Sequence, residues 1–202
     1  MAKRLRKLIE EEKKQTLLYE IEFPLVATLD AIERNGMHVS GEELSSLHKE
    51  FSERLSELES NICIKTGYDF NISSPKQLAD ILFSEDKLNL PHGKKGKTGV
   101  YSTSIDELNR LKGLHPVIED IIEFRALSKL DSTYAVGLQD KIEEDGRIRT
   151  TFTQAMTNTG RLSSTEPNLQ NIPVRSPEGA RIRACFTVPE GQRLVDADYS
   201  QI

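Results

Sequence analysis

The sequence predicts an α+β fold, with helices over roughly its first two thirds and antiparallel strands after them. Three observations lead there. Apolar residues recur every three or four positions from Leu44 to Ile62 and again from Val117 to Leu138, the period of a buried helix face. From Ile148 the pattern becomes alternation: Ile148, Thr150, Phe152 and Gln154 fall on one side, and Arg149, Thr151, Thr153 and Ala155 on the other, as in a strand. Asp145-Gly146 sets a turn at the changeover.

Taken in order, residues 3–22 are charged with a thin apolar stripe (Leu5, Leu8, Ile9, Leu17, Leu18, Ile21) and predict a surface helix or connector, here bounded as 1–23. The basic run Lys3-Arg4-Leu5-Arg6-Lys7 reads as a solvated helix end in preference to a nucleic-acid contact. Pro24 interrupts the pattern, a second helix carries Leu25, Leu29 and Ile32, and Asn35-Gly36 stops it before a short extended piece at Met37-His38-Val39. Ser40 and Glu43 have capping-box spacing and open a long amphipathic helix that lasts until Gly67. Glutamates fill its outer face, so its partner is another part of the protein rather than a polyanion. Ser74 is an N-cap, Pro75 the first helical residue, and Leu78, Ile81 and Leu82 turn inward.

Residues 87–103 lack periodicity. Pro91, Gly93, Gly96 and Gly99 interleave with Lys94, Lys95, Lys97 and Thr98, which predicts a basic loop. Ser104 and Glu107 form a second capping box, Gly113 closes that helix, and Pro116 opens a longer one reaching Leu138. On it Arg125 and Lys129 stand four apart on one face, within reach of Glu119 or Glu123. Beyond the strand at 148–154, a Pro-interrupted loop runs past Pro167, Pro173 and Pro177. Ile182, Ala184, Phe186 and Val188 then alternate, Pro189-Glu190-Gly191 turns the chain, and Arg193 to Asp198 is expected to return as an antiparallel strand. Leu194, Val195 and Ala197 make that strand apolar, and it ends abruptly in the carboxylate of Asp198.

Composition bounds the possibilities. The 202 residues are 37% hydrophobic and 29% charged, ordinary for a globular protein. Cys63 and Cys185 match no metal-ligand spacing and no disulfide framework, which points to a reducing compartment. No apolar run approaches a membrane span and the N-terminus is no signal peptide, so the cytoplasm is the expected location. The net charge is −5, but it is unevenly spread. From Arg147 to Arg183 six arginines face only Glu166 and Glu178, and from Lys87 to Lys97 there are four lysines and no acid. Residues 1–60 hold thirteen acidic and nine basic side chains. A polyanion therefore has two candidate contact segments, both distant in sequence from the acidic excess.

The residues carry a family resemblance. Thr159-Gly160-Arg161-Leu162-Ser163-Ser164, Pro167-Asn168-Leu169-Gln170-Asn171-Ile172-Pro173 and Asp198-Tyr199-Ser200-Gln201-Ile202 resemble the palm of family A DNA polymerases, the bacterial DNA polymerase I group. Ile21-Glu22-Phe23-Pro24-Leu25-Val26, Glu33-Arg34-Asn35-Gly36, Phe70-Asn71-Ile72-Ser73-Ser74-Pro75-Lys76-Gln77-Leu78 and Lys129-Leu130-Asp131-Ser132-Thr133-Tyr134 are similar to the thumb and its junction with the palm. The resemblance implies a helical thumb over 24–140 with its tip at 87–103, then the first antiparallel strands of a palm over 141–202. The sequence stops inside the aspartate-bearing motif, so the glutamate that usually follows, the fingers and the second catalytic aspartate lie outside it. A fragment of this kind is expected to be inactive alone. The alternative is a non-catalytic module that binds primed duplex.

The same resemblance implies the chemistry, template-directed addition of deoxynucleotides to a primer 3′ end. Two divalent cations about 4 Å apart deprotonate the 3′ hydroxyl and neutralise the triphosphate in such a reaction, and Mg2+ suits hard carboxylate oxygens. Asp198 is the implied catalytic carboxylate and metal ligand, the Tyr199 backbone carbonyl a further ligand, and Asp196 at most a support. Ser200, Gln201 and Ile202 are implied to line the incoming deoxynucleoside triphosphate. In the minor groove every base pair offers an acceptor at purine N3 or pyrimidine O2, so donors there test pairing geometry without reading identity. Arg161, Asn168, Gln170 and Asn171 are donors of that kind. The resemblance assigns Arg161 to the primer-terminal pair, the amides to the template and primer, and Arg175 to a place near the backbone. For Asn168 and Asn171, bracing of the proline-rich loop is the competing role. Arg125 and Lys129 are implied to face the primer strand, and Lys94, Lys95, Lys97 and Thr98 the duplex backbone, where charge without directional fit suffices. The implied partners are primer-template DNA and deoxynucleoside triphosphates, bound by a monomer at the nucleoid.

Overall fold

Serine side chains start three of the helices. Ser74 accepts from the Gln77 N–H at 3.4 Å, Ser104 from Glu107 at 3.4 Å and Ser176 from Gly179 at 3.0 Å, each satisfying a donor that the first helical turn leaves without a partner. In this computed structural model, which describes residues 2–96 and 99–200, the chain forms two compact units: one joins the residues up to Gly41 with those from Asp140 onward, and the other is Glu42–Gln139.

The second unit is mainly helical. Helix α3 (Gly41–Thr66) enters it and turns Leu44, Leu47, Phe51, Leu58 and Ile62 inward. Helix α4 (Pro75–Phe83), α5 (Ile105–Arg110) and α6 (Val117–Leu130) follow. Ile62, Leu78, Leu82, Leu108, Ile118 and Ile121 belong to one apolar cluster, all at 1% exposure or less. Around its edge, Arg54 of α3 pairs with Glu123 of α6 at 2.8 Å and Lys65 with Asp120 at 2.6 Å. The expectation that the glutamate-rich helix serves the protein itself therefore holds. The predicted single helix from Pro116 to Leu138 changes pitch midway, and Asp131–Val136 form a wider π-helical turn. The buried Asp131 at its start is held by Nδ1 of His48, 2.7 Å away.

In the other unit, helix α1 (Ala2–Glu11) ends near Lys13, which lies in the left-handed region at φ 54°. A π-helical turn at Leu17–Glu22 runs straight into helix α2 (Phe23–Asn35). Gly36 (φ 61°) stops α2, and a Cβ there would lie 2.7 Å from the carbonyl oxygen of Ile148, so both the backbone angle and the close approach require glycine. Strand β1 (Met37–His38) then pairs antiparallel with β2 (Arg147–Ile148), Met37 opposite Ile148. A hairpin follows, β3 (Thr151–Thr153) on β4 (Ser163–Thr165), with Phe152 opposite Ser164.

The structure corrects three expectations here. The strand predicted over 148–154 is two short strands in separate two-stranded sheets. The alternating run at 182–188 begins instead as helix α7 (Pro177–Ala184), after which Phe186 bridges to Val39. Ser176 as cap, Pro177 at the first position and Glu178 in the first turn make a helix start, and that local signal outweighs four alternating residues. Finally, 193–200 has no regular secondary structure and pairs with no strand among the described residues, and Leu194 and Val195 are 58% and 87% exposed. With 177–184 helical, the neighbouring strand it was expected to join does not form.

Candidate nucleic-acid interface and carboxylate arm

Ser164 organises the loop that carries most of the predicted contacts. It is fully buried, and its hydroxyl lies 2.7 Å from Thr150 Oγ1 and accepts from the Leu169 N–H at 3.1 Å. Thr150 Oγ1 in turn lies 2.8 Å from the Pro167 carbonyl oxygen. These two hydroxyls tie the 164–169 backbone to the chain at Thr150, between β2 and β3. The loop's own amides complete the brace. Gln170 Oε1 accepts from the Ser164 N–H at 3.1 Å and its Nε2 donates to the Leu162 carbonyl at 3.3 Å. Asn168 Oδ1 accepts from the Gln170 N–H at 3.0 Å. Bracing is thus a role both amides perform. Helix α7 closes on this loop because residue 179 is glycine: a Cβ there would stand 2.5 Å from the Pro173 carbonyl oxygen.

The cations divide into engaged and presented groups. Arg147 donates to the Asn35 carbonyl at 3.1 Å. Arg149 reaches the Arg34 carbonyl at 2.9 Å, Glu143 at 2.7 Å and both oxygens of Asp145 at 3.1 and 2.6 Å. These two arginines belong to the fold and leave the polyanion segment. Arg161 follows Gly160 (φ 74°) on the hairpin loop, and Arg175 lies past Pro173; both are exposed, and neither guanidinium has a partner among the described residues. Asn171 is exposed as well.

In the helical unit, Arg125 donates to the Thr103 carbonyl at 2.6 Å, and burial pushes its guanidinium down from the ordinary value. Neither glutamate proposed for it is used. Lys129, one turn on, is exposed. In the tip loop Lys87 pairs with Asp80 and lies 5.2 Å from the Tyr68 ring centroid, so it is engaged. Lys94 is exposed, and Lys95 sits 5.1 Å from the ring centroid of Tyr101, itself stacked on His92 at 3.9 Å. Lys97 and Thr98 lie outside the described residues.

Asp198 lies on the exposed 193–200 segment with Asp196, Tyr199 (91% exposed) and Ser200, while Gln201 and Ile202 fall outside the described residues. Four residues that matter to this unit have partners far off in sequence: Thr150 with Ser164, and Glu22 and Glu33, which meet Gln154 and Phe152. Their only sequence signal is polarity on a stripe otherwise facing the core.

The order of elements, helices followed by short antiparallel strands, a braced loop and an exposed carboxylate-bearing segment, is that of a chain with known relatives. The sequence model of DNA polymerase family A matches residues 41–202, and the chain belongs to that family. It is 47% identical over 200 residues to DNA polymerase I of Lactococcus lactis subsp. cremoris, a match covering 99% of this chain and 22% of the relative. With DNA polymerase I of Geobacillus stearothermophilus it shares 46% over 196 residues, 96% of this chain and 22% of the relative. With the thermostable enzyme of Thermus aquaticus it shares 46% over 194 residues, 95% of this chain and 23% of the relative. The chain thus spans about a fifth of the curated relatives it matches. Among solved structures it resembles the polymerase domain of Pol1 from M. smegmatis in complex with DNA primer-template and dNTP, with a TM-score of 0.86 and 40% identity, covering 93% of this chain and 33% of that one. No helix among the described residues is long and apolar enough to cross a membrane.

Proposed function

We propose that these residues are the thumb (24–140) and N-terminal palm (141–202) of a DNA-directed DNA polymerase that adds deoxynucleotides to a primer 3′ end on a DNA template, acting as a monomer at the bacterial nucleoid. What carries this reading is a pair of presented groups on one unit: Arg161, with no protein partner among the described residues, and Asp198, on an exposed segment without regular secondary structure. Family members generally use divalent metal ions. The donor set here fits a hard cation, since Asp198, the Tyr199 carbonyl and the nearby Asp196 offer only oxygens. Among the described residues no three acidic, His or Cys side chains converge, so these groups supply part of a coordination shell. When bound, Mg2+ would lower the pKa of the attacking hydroxyl and offset triphosphate charge.

The protein's own contributions follow from its residues. Asp198 presents a carboxylate at the growing end, and Ser200 and, by resemblance, Gln201 and Ile202 face the incoming triphosphate. Arg161 donates to the minor-groove acceptor of the primer-terminal pair, with Asn168, Gln170 and Asn171 around it and Arg175 toward the backbone, so that a mispaired terminus displaces the acceptor. Lys129 and Arg125 lie toward the primer strand, and the tip lysines 94, 95 and 97, with Thr98, meet duplex phosphates.

The test is Asp198→Ala in a full-length family A polymerase carrying this segment. Primer extension should be abolished while primer-template affinity stays largely intact; unaltered extension would overturn the reading.

A further inference from the structure

Along helix α2, Glu22, Leu25, Leu29, Glu33 and Gly36 form one stripe, turned inward on a helix otherwise largely exposed. Glu22 and Glu33 are eleven residues apart, three helical turns, so they lie on one line. Two half-buried carboxylates on a core-facing stripe call for partners. The partners come from one stretch of chain laid antiparallel along the helix. Arg147 bonds the Asn35 carbonyl at 3.1 Å, Arg149 the Arg34 carbonyl at 2.9 Å, and the Phe152 N–H donates to Glu33 Oε1 at 2.6 Å. Gln154 Nε2 donates to Glu22 twice, to Oε2 at 2.7 Å and to the carbonyl at 3.1 Å. The lengths agree: thirteen helical steps from Glu22 to Asn35 rise about 20 Å, and seven extended steps from 147 to 154 cover about 23 Å.

Gln154 is the last residue so fixed before the hairpin loop. Ala155 follows at φ 57°, Thr157 Oγ1 closes the loop onto the Arg161 carbonyl at 2.9 Å, and β4 begins two residues after Arg161. One end of the loop is thus anchored by strand pairing and the other by the carboxylate of Glu22, at the entry to α2. We propose that Glu22 and Glu33 are positioning residues that set where the 155–162 loop, and with it Arg161, meets the DNA; the inference rests on the polymerase reading above. Glu33 holds the edge of β3 in place, and Glu22 fixes the point where the loop departs. A shift of about 1 Å at such a point can cost on the order of 100-fold in rate.

The test is made in a full-length polymerase carrying this segment, with kcat, KM, thermal unfolding and one further readout, the rate penalty when the primer-terminal purine is 3-deazaguanine and lacks the minor-groove N3 acceptor. The unaltered enzyme should show a penalty of about tenfold or more, since the lost bond is to a charged donor. Glu22→Ala and Gln154→Leu should each lower kcat by about tenfold, leave the KM for template little changed, and shrink the 3-deaza penalty toward unity, as Arg161→Ala does outright. Glu33→Ala should act in the same direction. The exchange Glu22→Gln with Gln154→Glu restores a donor facing a carboxylate, and should recover both kcat and the penalty, which separates positioning from a general loss of folding. Unchanged kcat and penalty in Gln154→Leu and Glu22→Ala, beside a slow Arg161→Ala, would overturn the proposal, as would an exchange variant that unfolds at the unaltered temperature yet stays slow. An Arg161→Ala enzyme with normal rate and normal penalty would instead overturn the DNA reading beneath it.

Discussion

Ser164 has no apolar alternative. Its hydroxyl serves Thr150 and the Leu169 N–H inside a fully buried site, so Ser164→Ala strands the Leu169 N–H, while Thr150 keeps the Pro167 carbonyl, and should destabilise the protein by about 1–3 kcal/mol in chemical denaturation. A second prediction concerns acid. The hydrogen bonds from Arg149 hold the Asp145 carboxyl below its ordinary value. A carboxylate depressed in the folded state stabilises it above the unfolded pKa of about 3.9 and loses that contribution as the pH falls through the folded value. Melting temperatures at pH 6 and pH 3 should therefore differ less in Asp145→Asn than in the unaltered protein. At this scale legibility follows sequence distance. Ser74 and Ser104 announce their roles because the groups they cap are three residues away. Glu22, Glu33 and Thr150 do not, since their partners lie 132, 119 and 14 residues off. Arg149 looked like a polyanion contact although Asp145 and Glu143 stand close before it in sequence; only its carbonyl acceptor, on Arg34, is distant, 115 residues off.

Helices were readable and strands were not, and the difference is physical. A helix is announced by caps, a prolyl first position and a stripe recurring over many turns, all local. The strands here are two or three residues long, too short for alternation to accumulate, and their pairing is set by tertiary contacts. The same weakness let 182–188 pass as a strand when Ser176-Pro177 had already begun a helix. Helix α7 also yields a prediction. Since a Cβ on Gly179 would meet the Pro173 carbonyl at 2.5 Å, Gly179→Ala must push the helix and the 168–175 loop apart. That should cost about 1–3 kcal/mol and weaken primer-template binding more than Ala180→Ser on the exposed side, measured by denaturant midpoint and by fluorescence anisotropy.

For the molecule as a whole the class of fold and the family were legible, because helix periodicity and a few fixed residue strings survive without knowledge of contacts. The grouping of the residues up to Gly41 with those from Asp140 onward was not legible, since β1 and β2 become neighbours only on folding. Binding to primed duplex should follow the counterion law, with log K falling by about 0.9 per phosphate for each decade of salt. Lys94→Ala with Lys95→Ala should flatten that slope by about two phosphates; an unchanged slope would remove the tip from the contact. The pairing of β1 with β2 has one more consequence. Met37 waits for Ile148, and during translation at about 5–20 residues per second the ribosome needs on the order of 5–20 seconds to deliver it. Over that interval the helical unit between them can fold from contiguous chain, while the first forty residues leave the exit tunnel without their partners and stay open to chaperones and proteases until the last quarter of the sequence appears.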